Sequence, residues 1–203
     1  MVTIVLCIAV FFMSAALHEL GHAWMAERFG DPTPRAQGRI TMNPLAHIHP
    51  IGTVLLPALC LLIGAPMFGW AKPVMVNFAN LYPFRKGIFW VAIAGVIMNA
   101  IIALTAAFML IAFSATLGVV MEKVLVFAVF LNLLLIVFNL TPIPPLDGSK
   151  ILALVAPRKF NNFMNQYSQI LFIMLIVFFP YLPFGKWVHA LTYLLTGQFF
   201  TGF

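Results

Sequence analysis

The chain has 203 residues, of which 63% are hydrophobic and 8% charged, with 11 Lys and Arg against 5 acidic residues. A soluble domain carries about a quarter charged residues, so this chain cannot cover a water-facing surface and is expected to be an all-α polytopic membrane protein. The basic excess would point to nucleic acid in a soluble protein; in a bilayer it sets topology, and no nucleic-acid partner is expected.

At roughly 20 residues per span, the length admits about four to six transmembrane helices. They are expected to form one membrane-embedded domain over residues 1–203, with a core of about 1–157 and C-terminal helices over about 160–203. The first apolar run predicts a helix over about Val2–Arg28, ended by Gly30, Asp31 and Pro32. It lacks a basic leader and a cleavage pattern, so it reads as a retained helix rather than a signal peptide. The polar stretch GDPTPRAQGRITMNP follows. The next segment, about Ile51–Trp70, is apolar but interrupted by Pro57, Gly64 and Pro66, where helical hydrogen bonding breaks. After AKPVMVNFANLYPFRKG, helices are predicted over about Ile88–Leu117 and Val124–Leu140. The stretch TPIPPLDGSK then leaves the bilayer pattern and leads into a short helix to Ala156. A further helix is predicted over about Phe163–Phe179, and GKWVHALTYLLTGQFF as an amphipathic or partly inserted one. Cys7 and Cys60 lie in apolar runs and read as packing residues.

Charge bias decides how Ile51–Trp70 is threaded. If that segment enters and returns on one side, Arg28, Arg35, Arg39, Lys72, Arg85, Lys86, Lys150, Arg158 and Lys159 share a face, leaving only Lys123 and Lys186 opposite. A full crossing splits the first six between two faces. The positive-inside rule favours the re-entrant reading, with the basic face cytoplasmic.

Inside the first helix stands LHELGHAW, residues 17–24. Ionisable residues are costly within a bilayer and mark a functional site. His18 and His22 are four apart, so a helix presents both imidazoles on one face, with Glu19 beside them. This HExxH spacing supplies two zinc ligands and a glutamate base. Catalytic zinc needs a third protein ligand. The chain offers Asp31, His47, His49, Glu122, Asp147 and His189. Under the re-entrant topology Asp147 reaches the depth of the histidines, while Glu122 lies on the wrong side. His47 and His49 could equally stabilise their loop.

HELGH in the first helix, NLTPIPPLDG, NPLAHIHPIGTVLLP and FGWAKPVMVN together resemble the site-2 protease family of intramembrane zinc metalloproteases, in its compact form without PDZ or CBS domains. The resemblance spans roughly residues 14–155. It implies His18, His22 and Asp147 as ligands of one zinc ion, Glu19 as catalytic base, and Asn99 and Asn139 as polar groups near the site, for oxyanion or substrate contact. It departs from the family pattern at Val96, His49 and Met75.

The expected reaction is peptide-bond hydrolysis in or near transmembrane segments of other membrane proteins, at a site towards the cytoplasmic side of the inner membrane. A helical substrate hides its amides, so it must be unwound. Pro34–Pro44 could offer a strand edge, giving a short membrane-associated β-like loop, or could be an ordinary loop. The rival readings are a proteolytically inactive client-binding scaffold, a metal transporter using the same ligands, and a zinc hydrolase acting on lipid. The residues do not specify a substrate or an oligomeric state.

Overall fold

A computed structural model describes residues 1–47, 49–55, 59, 62 and 72–200, and every regular element among them is helical. Helix α1 spans Val2–Arg28, as its apolar run predicts, and stops before Gly30, whose φ of 98° suits glycine alone. Short turns follow at Thr33–Ala36 (α2) and Pro44–His47. The expected strand edge at Pro34–Pro44 is therefore flanked by helical turns. Residues 72–77 form the irregular, non-helical run instead. Most of Ile51–Trp70, including Pro57, Cys60, Gly64, Pro66 and Trp70, lies outside the described residues; Pro50–Leu55 is a π-helical turn.

Helix α3 spans Phe84–Ala112 and α4 Val119–Asn139. Each begins about four or five residues earlier than the apolar pattern predicts. Pro83 caps α3 with Arg85 and Lys86 in its first turn, and Gly118 precedes α4 with Glu122 in its first turn, so charged residues enter both helices at the water-facing end. Helices α1, α3 and α4 are long and apolar enough to cross a membrane. They pack mutually, and α1 and α3 meet where Gly21 lies against Ala94, Gly95 against the two histidines and Ala26 beside Val91. Small residues let helix backbones approach closely where lipid supplies no hydrophobic drive. Outward side chains such as Ile101, Leu104, Phe108 and Ile111 are exposed, the surface a bilayer covers.

Three contacts fix the relative direction of α1 and α3. The amide of Tyr82 donates to the carbonyl of Phe29 at 2.8 Å, tying the start of α3 to the end of α1. Further in, His22 meets Val91 and His18 meets Asn99, so the helices run antiparallel.

After α4, residues 140–146 turn back into α5, Asp147–Ala153. The expected single helix over Phe163–Phe179 is two: α6 over Arg158–Gln166 and α7 over Ser168–Phe178, broken at Tyr167. RKFNNFMNQ is polar and amphipathic whereas SQILFIMLIVF is apolar, so the two halves seek different environments and the chain bends between them. Helix α8, Phe184–Thr196, packs on α4 and ends at Gly197.

Candidate metal centre

Four-residue spacing places both histidines of α1 towards α3, buried at 8% and 6% exposure. Their Nε2 atoms are 3.0 Å apart. Asp147, at the N-terminus of α5, completes the group: its Oδ2 lies 3.3 Å from His18 Nε2 and 3.0 Å from His22 Nε2. Two features bring the aspartate back to this depth. The prolines of TPIPPL prevent α4 from continuing. Gly148 then lets α5 press against α4, because a Cβ there would collide with the Leu140 carbonyl oxygen.

The protonation pattern makes the cluster incomplete on its own. His22 Nδ1 lies 2.7 Å from the Val91 carbonyl, which can only accept, so Nδ1 carries a proton and the neutral ring presents a lone pair at Nε2. That lone pair faces Asp147 Oδ2, a buried oxygen without a hydrogen-bond partner. Lone pairs converging in a dry site call for a cation between them. Ligands of a tetrahedral zinc ion stand roughly 3.3 Å apart, and separations of 3.0 to 3.3 Å match that edge. Two imidazoles and a carboxylate therefore fit a catalytic zinc, with a position left open. Among the described residues these three form the one group of His, Cys, Asp or Glu able to hold a metal ion.

Glu19, adjacent to His18 and partly exposed, accepts a hydrogen bond at 2.7 Å from the backbone amide of Val74. Val74 belongs to the 72–77 run, which is anchored on both sides of that contact. Lys72 donates its amide to the His47 carbonyl, and Asn77 donates its amide to Asp31 Oδ2. Asp31 also accepts from Thr33 N, Thr33 Oγ1 and Asn80 Nδ2. Burial would raise its pKa, but these hydrogen bonds outweigh it and hold the carboxyl below the ordinary carboxylate range.

The other candidate ligands are employed elsewhere. His47 is buried under its loop with Nε2 3.3 Å from the Thr41 carbonyl, and His49 Nδ1 accepts from the Gly52 amide. Glu122 accepts from Gln198, and the His189 ring lies 4.9 Å from Phe130. Asn139 spends its amide on the Leu135 carbonyl one turn back. Asn99 is fully buried with Nδ2 3.2 Å from His18 Nδ1, behind the imidazole and on the far side from Asp147.

Sequence reasoning missed several participants. Lys150 donates to Asp147 Oδ1 at 2.8 Å, leaving Oδ2 for the histidines; its i+3 position on a short helix was the available signal. A Cβ at Gly95 would stand 2.5 Å from both His18 Cε1 and His22 Nε2, so this position reserves the space of the rings. The Val91 carbonyl and Val74 amide are backbone groups and leave no mark in the sequence.

Comparison with known proteins gives a consistent picture. Residues 111–180 match the family described as Peptidase family M50. The chain is 38% identical over 186 residues to a protein of Bacillus subtilis provisionally named zinc metalloprotease YwhC, covering 87% of this chain and 80% of that one. It is 31% identical to each of two proteins provisionally named zinc metalloprotease Rip2, from Mycolicibacterium smegmatis and Mycobacterium tuberculosis. Those matches cover 93% and 94% of this chain, and 72% and 73% of the relatives. No solved structure gives a significant match.

Proposed function

The chain belongs to peptidase family M50 and is a multi-pass intramembrane zinc metalloprotease, and from that premise we propose how its residues divide the work. His18, His22 and Asp147 hold one zinc ion per chain, and Glu19 is the catalytic base. The observation that carries this reading is the convergence of two imidazole nitrogens and an orphaned carboxylate oxygen within 3.3 Å, inside an apolar bundle. When bound, zinc supplies the Lewis acidity that makes hydroxide available near neutral pH. Glu19 takes the proton of the attacking water and passes it to the leaving amine. Lys150 keeps Asp147 oriented, and the Val74 amide holds Glu19 in place beside the ligands. Asn139 gives one amide N–H to the Leu135 carbonyl and keeps a second, which we assign as the candidate donor to the developing oxyanion.

The substrate is a transmembrane protein whose cleaved segment is unwound at the site. The 72–77 run lies against Glu19 with Met75 exposed, and we assign to it the β-like role of presenting backbone groups to that segment. The re-entrant reading of residues 51–70 is supported by their flanks, since the chain leaves α1 at Phe29 and rejoins it at Tyr82. Nine of the eleven basic residues then share one face, which we assign to the cytoplasmic side of the cell membrane. The chain is one metalloprotease domain, with α6 to α8 appended to the core. Nothing favours a scaffold or a transporter.

The test is zinc content and cleavage of a model transmembrane substrate in proteoliposomes. Glu19→Gln keeps its zinc and loses cleavage by ~10²–10⁴-fold, the usual contribution of a general base. His22→Ala loses both. Substantial cleavage by Glu19→Gln removes the base assignment, and parental zinc content in His22→Ala removes the ligand assignment.

A further inference from the structure

We propose that Asn99 is a positioning residue: its carboxamide oxygen accepts the Nδ1 proton of His18 and thereby frees His18 Nε2 to bind the metal, an inference that rests on the ligand set above. The observation is a mismatch. Asn99 Nδ2 lies 3.2 Å from His18 Nδ1, while Asn99 Oδ1 is buried without a partner. In that orientation the amide N–H occupies the Nδ1 lone pair, so the imidazole proton sits on Nε2. It would then point into the space between His22 Nε2 and Asp147 Oδ2, and His18 could not ligate. Carboxamide oxygen and nitrogen are distinguished only by their hydrogen-bond network. A half-turn of the amide satisfies Oδ1 with the Nδ1 proton and leaves Nε2 bare.

The rest of the helix supports this assignment. Val91, Gly95 and Asn99 are spaced by four on α3, and the two histidines are spaced by four on the antiparallel α1. Val91 offers an acceptor to His22 Nδ1, Asn99 stands at His18 Nδ1, and Gly95 leaves room for both rings between them. One stripe of α3 thus sets both imidazoles in the same tautomer, with Nε2 of each directed at Asp147. The carbonyl that orients His22 has its side-chain counterpart in the oxygen that orients His18. Such outer partners fix ring orientation and ligand basicity.

Two measurements decide it. Proton and nitrogen-15 NMR of the zinc-loaded parent is expected to show a hydrogen-bonded, downfield Nδ1 proton of His18, assigned by its loss in His18→Gln, that moves upfield in Asn99→Leu; an unchanged Nδ1 proton in Asn99→Leu overturns the proposal. Zinc affinity by chelator competition, together with the visible spectrum of the cobalt-loaded protein, is then compared in Asn99→Leu and Asn99→Asp. Loss of the acceptor in Asn99→Leu lowers affinity ~10–100-fold and shifts the cobalt bands, while Asn99→Asp keeps an acceptor and stays near the parent. Parental affinity and spectrum in Asn99→Leu, or an equal loss in Asn99→Asp, overturns it. If His22→Ala also binds zinc like the parent, the ligand set itself has failed, which is a separate outcome.

Discussion

Two aspartates are buried in this protein, and their surroundings differ. Asp31 is 0% exposed and Asp147 5%. Asp31 is ringed by donors: the amide and hydroxyl of Thr33, the amide of Asn77 and the carboxamide of Asn80. Asp147 has a donor on Oδ1 only, from Lys150, and its Oδ2 faces imidazole nitrogens without a hydrogen-bond partner. A buried carboxylate with its donors complete is a structural node; one aimed at lone pairs awaits a cation. In sequence the two look alike, GDP and LDG, each beside a chain-bending residue. Only the donor inventory tells the joint from the site.

The sharpest way to break this comparison is to neutralise each aspartate in turn. Asp147→Asn is expected to abolish both zinc retention and cleavage, because the carboxylate we assign as third ligand loses its charge. Asp31→Asn is expected to keep its zinc, measured by metal analysis of purified protein. Equal zinc loss in the two variants would erase the distinction. Gly95→Ala comes next in size. Alanine favours helix, yet its Cβ would enter the space of two rings already held by Val91 and Asn99, so zinc binding should collapse while helical content is retained by circular dichroism. Lys150→Met sharpens the contrast from the other side. Releasing Oδ1 lets the Asp147 carboxylate turn, and zinc affinity should fall ~10-fold by chelator competition, the lower end for an outer partner.

How far the sequence carries this picture depends on the kind of information involved. Side-chain chemistry at helical spacing is legible: α1 runs over the predicted Val2–Arg28, and its His18 and His22 share one face, which Asp147 approaches. Helix ends were less legible. Apolar patterning misses the charged first turns of α3 and α4, and it joined α6 to α7 across the polar Asn165 to Gln169 stretch. Asn99 was placed near the site, but which ring nitrogen it serves depends on the antiparallel register of α1 and α3. In the sequence Asp31 shows only as a helix stop and a spare ligand, because half of its donors arrive from residues 77 and 80, more than 40 positions later.

That node has a stability signature of its own. Removing the Asp31 charge weakens several charge-assisted hydrogen bonds, and a loss of about 2 kcal/mol is expected in Asp31→Asn, read as a lower thermal midpoint in detergent. The pH dependence has a definite sign. A carboxyl held below its ordinary range contributes stability that is complete above that range and is lost as the pH falls through the lower folded value. Acid should therefore destabilise the parent more than Asp31→Asn, and parallel acid profiles would remove the charge from the account.

The smallest effect is expected at the corner just outside the node. Arg35 on α2 pairs with Glu27 at the end of α1, with side chains 68% and 28% exposed. Exposed pairs hold two long side chains in one geometry for little return and are screened by salt. Arg35→Gln should therefore leave zinc content, cleavage and the thermal midpoint unchanged within error. Thr33, whose amide and hydroxyl both bind Asp31, opens the same short helix, so the corner and the node are mechanically adjacent. A clear drop in the midpoint of Arg35→Gln, absent in the Asp31→Asn background, would mean that α2 is held from outside and passes that order to Asp31. The joint would then begin at the surface ion pair rather than at the buried carboxylate.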